Sequence, residues 1–110
     1  MQKTEYKETL SIASANDLVR KNTQAVGWLV TPRVLGTIKD QAGLYRAIKE
    51  FNAFNDSNDP YREHDFGALK FEGCKVFWKI DYYDQSLQGW CDPSDPNCNR
   101  VLTIMLADEY

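Results

Sequence analysis

The run that most constrains this chain is Cys74-Lys75-Val76-Phe77-Trp78-Lys79-Ile80-Asp81-Tyr82-Tyr83. Val76, Trp78, Ile80 and Tyr82 fall on one side of a period of two, with Lys75, Phe77, Lys79, Asp81 and Tyr83 on the other. That period belongs to a β-strand with one face buried. Glu72-Gly73 just before it supplies a tight reversal, so residues 65–71 are expected to pair with it as a hairpin. A third run, residues 100–107, sets Leu102, Ile104 and Leu106 against Val101, Thr103 and Met105. It is apolar on both faces, which predicts a central strand.

The first half changes period. Over residues 4–22, Ile12, Ala15 and Val19 recur at helical spacing, with Leu18 beside them and Asn16 on the same face. A polar side chain on such a stripe usually bonds to nearby backbone. Residues 25–31 alternate as a strand that Pro32 should end or place at an edge, and residues 34–38 fit neither period. A second helix is expected from Asp40, a suitable N-cap, with Leu44, Ala47, Ile48, Phe51 and Phe54 on its buried stripe. The turn-forming run Asn55-Asp56-Ser57-Asn58-Asp59-Pro60 should stop it. The order is α-β-α-β-β-β. Short links between successive strands favour an α+β fold, an antiparallel sheet with two helices packed on one face. At 110 residues, residues 1–110 should form a single domain.

Charge narrows the partners. Residues 1–50 carry eight Lys/Arg against five Asp/Glu, whereas residues 51–110 carry five against eleven, a balance of −6. An acidic half argues against direct nucleic-acid binding and suits a basic partner, a divalent cation or plain solvation. The start, Met1-Gln2-Lys3-Thr4-Glu5, lacks the apolar stretch of a secretory leader, and no apolar run has a membrane span's length. A cytoplasmic protein without membrane contact is expected. Three cysteines, Cys74, Cys91 and Cys98, do not make a disulfide framework, so reduced thiols are expected. Cys91 and Cys98 flank one loop and could meet there if oxidised. Their spacing does not suit zinc, and the single histidine supplies only one further ligand.

The densest polar stretch is Asn58-Asp59-Pro60-Tyr61-Arg62-Glu63-His64-Asp65-Phe66-Gly67. Extending the hairpin register from its turn sets residue 64 opposite 81, within one slip, so His64 and Asp81 are expected as cross-strand neighbours. His64, Asp65, Asp81, Tyr83 and Asp84 would then gather at one end of the sheet. Such a group can bind a divalent metal, run acid–base chemistry, or hold the loop to the sheet by hydrogen bonds. The phosphate-loop and nucleophile-elbow patterns are missing, and no cofactor is called for. Among Tyr61, Trp78, Tyr82, Tyr83 and Trp90, the strand residues Trp78 and Tyr82 suit the core. Trp90, in a polar loop, suits a contact.

The blocks Asn58-Asp59-Pro60-Tyr61 with Glu63-His64-Asp65-Phe66-Gly67, Phe77-Trp78-Lys79-Ile80-Asp81-Tyr82-Tyr83-Asp84, and Arg100-Val101-Leu102-Thr103-Ile104-Met105-Leu106-Ala107 with Glu109-Tyr110 carry a resemblance. With Asn16-Asp17, they make residues 12–110 similar to an uncharacterised domain-of-unknown-function family of short bacterial proteins, frequent on mobile elements. Cys91 and Cys98 lie outside that pattern. The resemblance supplies no catalytic residues. It implies a role of the kind mobile elements carry, an inhibitor of a nucleic-acid-targeting host defence complex of anti-CRISPR or anti-restriction type. On that expectation the protein is a non-enzymatic protein-binding module. Asp56, Asp59, Glu63, Asp92, Asp95, Asp108 and Glu109 would be its exposed contact charges and Trp90 its anchor. The alternative is a small metal-binding protein or metal-dependent enzyme centred on His64 and its neighbouring carboxylates.

Overall fold

A computed structural model describes residues 11–22 and 27–110. Helix α1 spans Ile12–Lys21 and is capped by Ser11, whose Oγ accepts the backbone N–H of Ser14 at 3.0 Å. The expected start of this helix over residues 4–10 lies outside the described residues, as do residues 25 and 26 of the first strand. Strand β1 is Trp28–Val30. Pro32 does end it, by opening helix α2, Pro32–Thr37, at the first helical position, where a missing N–H costs nothing. The Thr31 hydroxyl caps that helix. The segment that fitted neither period is therefore mostly helical, and it buries Val34 and Ile38.

Helix α3, Gln41–Lys49, starts at the expected cap, with Asp40 Oδ1 accepting the Gly43 N–H at 2.9 Å. It buries Leu44 and Ile48 and stops sooner than the apolar stripe suggested. Phe51 and Phe54 follow in non-helical chain and still reach the core. Their rings pack edge-on to Trp78 with centroids 5.6 and 6.2 Å away.

Strands β2 (Phe66–Phe71), β3 (Cys74–Tyr83) and β4 (Asn99–Leu106) complete the sheet. The hairpin turn has both Glu72 and Gly73 at positive φ, as a two-residue turn of this hand requires. The Glu72 carboxylate also accepts the N–H groups of Lys39 and Asp40 at 2.9 and 2.8 Å, tying the turn to the start of α3. Strand order is β1-β4-β3-β2, so β4 is central, as its two apolar faces predicted. The α+β class holds, but the sheet is mixed. β1 runs parallel to β4, with Trp28 opposite Leu102 and Val30 opposite Ile104. Short loops dictate antiparallel pairing only between strands adjacent in sequence. β1 pairs with a strand some seventy residues later, so no loop constrains its direction.

Val76, Trp78, Ile80, Leu102, Ile104 and Leu106 form the sheet's buried face, with Val34, Ile38, Leu44 and Ile48 from the helices above them. Trp78 is wholly buried, and a Cβ at Gly67 on the paired strand would collide with its indole. A glycine there is what lets the ring lie flat across β2. Among the described residues no helix is long and apolar enough to cross a membrane.

Candidate functional site

Helix α1 presents a polar underside to the sheet. Asn16 and Arg20 are its most buried residues, whereas Leu18 is 65% exposed. Asn16 does bond backbone, as its place on the stripe suggested, but backbone far along the chain, and side chains as well. Its amide donates to the Glu63 carbonyl and the Tyr82 hydroxyl, each at 2.9 Å, and its carbonyl accepts from Arg100 Nε at 2.7 Å. Arg20 donates through Nη1 to the carbonyls of Ile48 and Lys49 at 2.8 and 2.9 Å. Those are carbonyls at the end of α3, where helices leave acceptors open. Its Nη2 bonds Asp17 at 2.9 Å, and its guanidinium lies over the rings of Phe54 and Trp78.

These groups decide where the 55–65 segment goes. Asp59 is 6% exposed, and its Oδ1 accepts the N–H groups of Glu63 and His64 at 3.0 and 3.2 Å. The expected contact charge is thus a buried pin of its own loop. Arg62 and His64 both take left-handed backbone, φ 56°. The His64 ring lies flat on Phe54, centroids 3.9 Å apart, with Nδ1 3.0 Å from Asp17 and Nε2 3.6 Å from Asp59. A cleft of about 290 Å³ opens beside this ring, lined by Phe54, Asn55, Asp56, Asp59, Arg62 and His64.

The expected pairing of His64 with Asp81 does not form. The ladder does extend one residue past β2, the Ile80 N–H bonding the Asp65 carbonyl at 2.8 Å, so the register was sound. The left-handed turn at His64 then carries its side chain to the helix side. Asp81 points to the opposite face and pairs with Lys79 at 2.5 Å. Asp84 is engaged in its own loop, where Oδ1 accepts from the hydroxyl and N–H of Ser86 and the N–H of Gln88. Those bonds, the Ser86 hydroxyl first, hold its carboxyl below the usual range. Tyr83 bridges to Trp90. Among the described residues no three His, Cys, Asp or Glu side chains are arranged to hold a metal ion.

Asp65 accepts from the Tyr82 hydroxyl at 3.2 Å. Burial pushes the Tyr82 phenol up, with the nearby Asp65 and Glu63 charges adding to it. Burial, then the charges of Asp65 and Asp59, likewise raise the Glu63 carboxyl. Glu63 is therefore a half-buried, charge-averse group rather than a free contact.

The remaining contact candidates divide. Asp56 is exposed, 3.5 Å from Arg62. Asp108 is exposed but spanned by the Arg33 fork at 2.7 and 3.2 Å. Glu109 is turned inward, its Oε2 accepting from the Leu106 N–H and the Thr31 hydroxyl. Asp92, Asp95 and Trp90 share the loop of residues 84–98, and Trp90 is 72% exposed. Leu87, 58% exposed, belongs with them and was missed. Its only sequence signal was an apolar residue inside a polar loop.

That loop is tightly pinned. Asp92 Oδ1 accepts from the N–H and hydroxyl of Ser94 at 2.9 and 2.7 Å, which lowers its carboxyl below the usual range. Asp95 Oδ1 accepts the Asn97 N–H at 2.9 Å. Arg100 Nη2 donates to the Pro93 carbonyl, Gln85 to the Asn97 carbonyl, and Asn99 to the Asp84 carbonyl.

Compared with known proteins, residues 22–109 match the model of a family described as "Protein of unknown function (DUF3768)". No curated protein and no solved structure matches the chain at a significant level.

Proposed function

We propose that this chain, which belongs to the DUF3768 family of proteins of unknown function, is a non-enzymatic protein-binding module that docks through residues 84–98. The observation that carries this reading is the exposed pair Trp90 and Leu87 on a loop already fixed by its own hydrogen bonds, beside the exposed carboxylates of Asp92 and Asp95. Tryptophan anchors dominate interface energies, and a rigid loop loses little entropy on docking. Asp84 and Asp92, held ionised by their serine neighbours, give the loop a steady negative charge that selects a basic partner.

The partner we favour is a nucleic-acid-handling complex of host defence in a bacterial cell, inhibited by occupation of its basic groove. The −6 balance of residues 51–110 supports it, because a groove built for phosphates is lined with Lys and Arg. The resemblance to proteins of mobile elements points the same way. The test is affinity capture from the native host, comparing the wild-type chain with Trp90→Ala and with Asp92→Lys/Asp95→Lys. We expect a stoichiometric nucleic-acid-handling complex with the wild type and at least a tenfold loss of affinity with either variant, about 1.4 kcal/mol or more. Equal capture by all three chains would sink the docking loop. Capture of an unrelated complex, lost with the variants, would keep the loop and discard the defence role.

A further inference from the structure

Within residues 84–98 the chain folds back on itself through two consecutive turns. The Asp95 N–H bonds the Asp92 carbonyl at 2.9 Å, and the Cys98 N–H bonds the Asp95 carbonyl at 3.1 Å. This return brings Cys98 to the same backbone oxygen as Cys91. The Cys98 thiol donates to the Asp92 carbonyl oxygen at 3.3 Å, and the Cys91 thiol reaches that oxygen and Asp95 Oδ2, each at 3.7 Å. One end of the segment is fixed to the sheet by the Cys91 N–H on the Tyr82 carbonyl. Arg100 holds its middle at Pro93. Neither cysteine belongs to the buried core, and both are partly exposed.

We propose that Cys91 and Cys98 are an oxidation site, a dithiol that closes to an intramolecular disulfide and locks residues 91–98, the segment that directly follows Trp90. As regulation of docking, the lock rests on the reading of residues 84–98 given above. The oxidant is a small disulfide such as glutathione disulfide. The thiolate of one cysteine attacks an oxidant sulfur, forming a mixed disulfide and releasing one glutathione thiol. The second cysteine gives up its proton and displaces the other glutathione. Two S–H bonds are lost, one S–S bond forms, and the oxidant leaves as two thiols.

Cys91 rests as a thiol, its pKa pushed up to about 12, by the hydrogen bond with Cys98 first and then by burial. Cys74 is not a competing partner. It stands at the far end of β3 from Tyr82, eight residues or roughly 26 Å along an extended strand.

The site is tested on the full chain in a series of oxidised-to-reduced glutathione ratios, quenched with acid, alkylated and cut with trypsin. Residues 80–100 form one tryptic peptide holding both cysteines, and residues 71–75 another holding Cys74. We expect the 80–100 peptide to become two hydrogens lighter and to resist alkylation while the Cys74 peptide still alkylates. Nonspecific proteolysis within residues 92–97 should slow by about tenfold on oxidation in the wild type and not in Cys98→Ser. Two glutathione adducts on the 80–100 peptide, a link to the Cys74 peptide, or full alkylation where Cys74 is already oxidised would each overturn the proposal. So would a disulfide that leaves proteolysis unchanged. No readout here needs a partner, so failure of the docking reading, seen in capture, is separate from failure of the disulfide.

Discussion

Residues 55–65 and residues 84–98 are both dense in Asp, Asn, Ser and Pro, with one aromatic each, Tyr61 and Trp90, yet the fold uses their aspartates in opposite directions. The first turns Asp59, Glu63 and His64 inward while Asp56 and Tyr61 stay in solvent. Asp59 is buried, His64 lies on Phe54, and Glu63 faces other carboxylates. The second turns outward, with Trp90 and Leu87 in solvent and its aspartates spent on local turns. The difference comes from the neighbour each meets. The polar underside of α1 offers Asn16, Asp17 and Arg20 to the first segment. The second is pinned by its own aspartates and by Arg100, Gln85 and Asn99 on backbone carbonyls, none of which draws Trp90 or Leu87 inward. Acidic turn residues are thus not a surface patch by composition. They become one only where no buried donor draws them in.

The contrast breaks first at Arg20. Arg20→Met should cost about 3–5 kcal/mol by chemical denaturation, since the Ile48 and Lys49 carbonyls and Asp17 lose their donor in a buried site. A loss below about 1 kcal/mol would mean that the underside of α1 does not hold the inward segment. Next, Asp59→Ala should cost about 2–3 kcal/mol, because two backbone N–H groups are left without an acceptor. Asp95→Ala in the outward loop should stay within about 1 kcal/mol. Equal costs would erase the distinction between the two segments. His64→Ala should remove about 1–2 kcal/mol by loss of the Phe54 stack and the Asp17 bond, and leave partner capture unchanged. Capture lost from a folded variant would make His64 functional.

The smallest effect concerns pH. The folded protein holds the Glu63 carboxyl above its ordinary value near 4.5 and so favours its protonated form. Stability from this group is full below about 4.5 and is lost as pH rises through the folded value. Glu63→Gln should flatten that part of the stability profile and leave the protein slightly more stable at neutral pH. An unchanged slope would show that neither burial nor the neighbouring carboxylates disfavour the ionised Glu63.

Much of the framework was legible before any coordinates. Period two over Cys74–Tyr83, the turn at Glu72-Gly73 and the cap at Asp40 rest on local rules, and each stands where those rules set it. The α3 stripe ran too far because Phe51 and Phe54 serve the same core from extended chain. The site was less legible. The hairpin register carried through to Asp65, but one left-handed residue then sent His64 to the other side of the sheet. Asn16 reads only as a polar residue on an apolar stripe, and Arg20 carries no local signal of burial. The partners of Asn16 lie 47 to 84 residues away, and the carbonyls that Arg20 holds lie 28 and 29 residues away.

By itself, then, the sequence determined the elements other than α2, the hairpin with its register and the central place of β4, because side-chain alternation and turn chemistry act between near neighbours. Only the tertiary structure decided the direction of β1 and which of two similar acidic segments has an aspartate buried. Both depend on groups distant in sequence meeting in a low-dielectric interior, where an unpaired donor or charge is costly enough to reorient a whole loop.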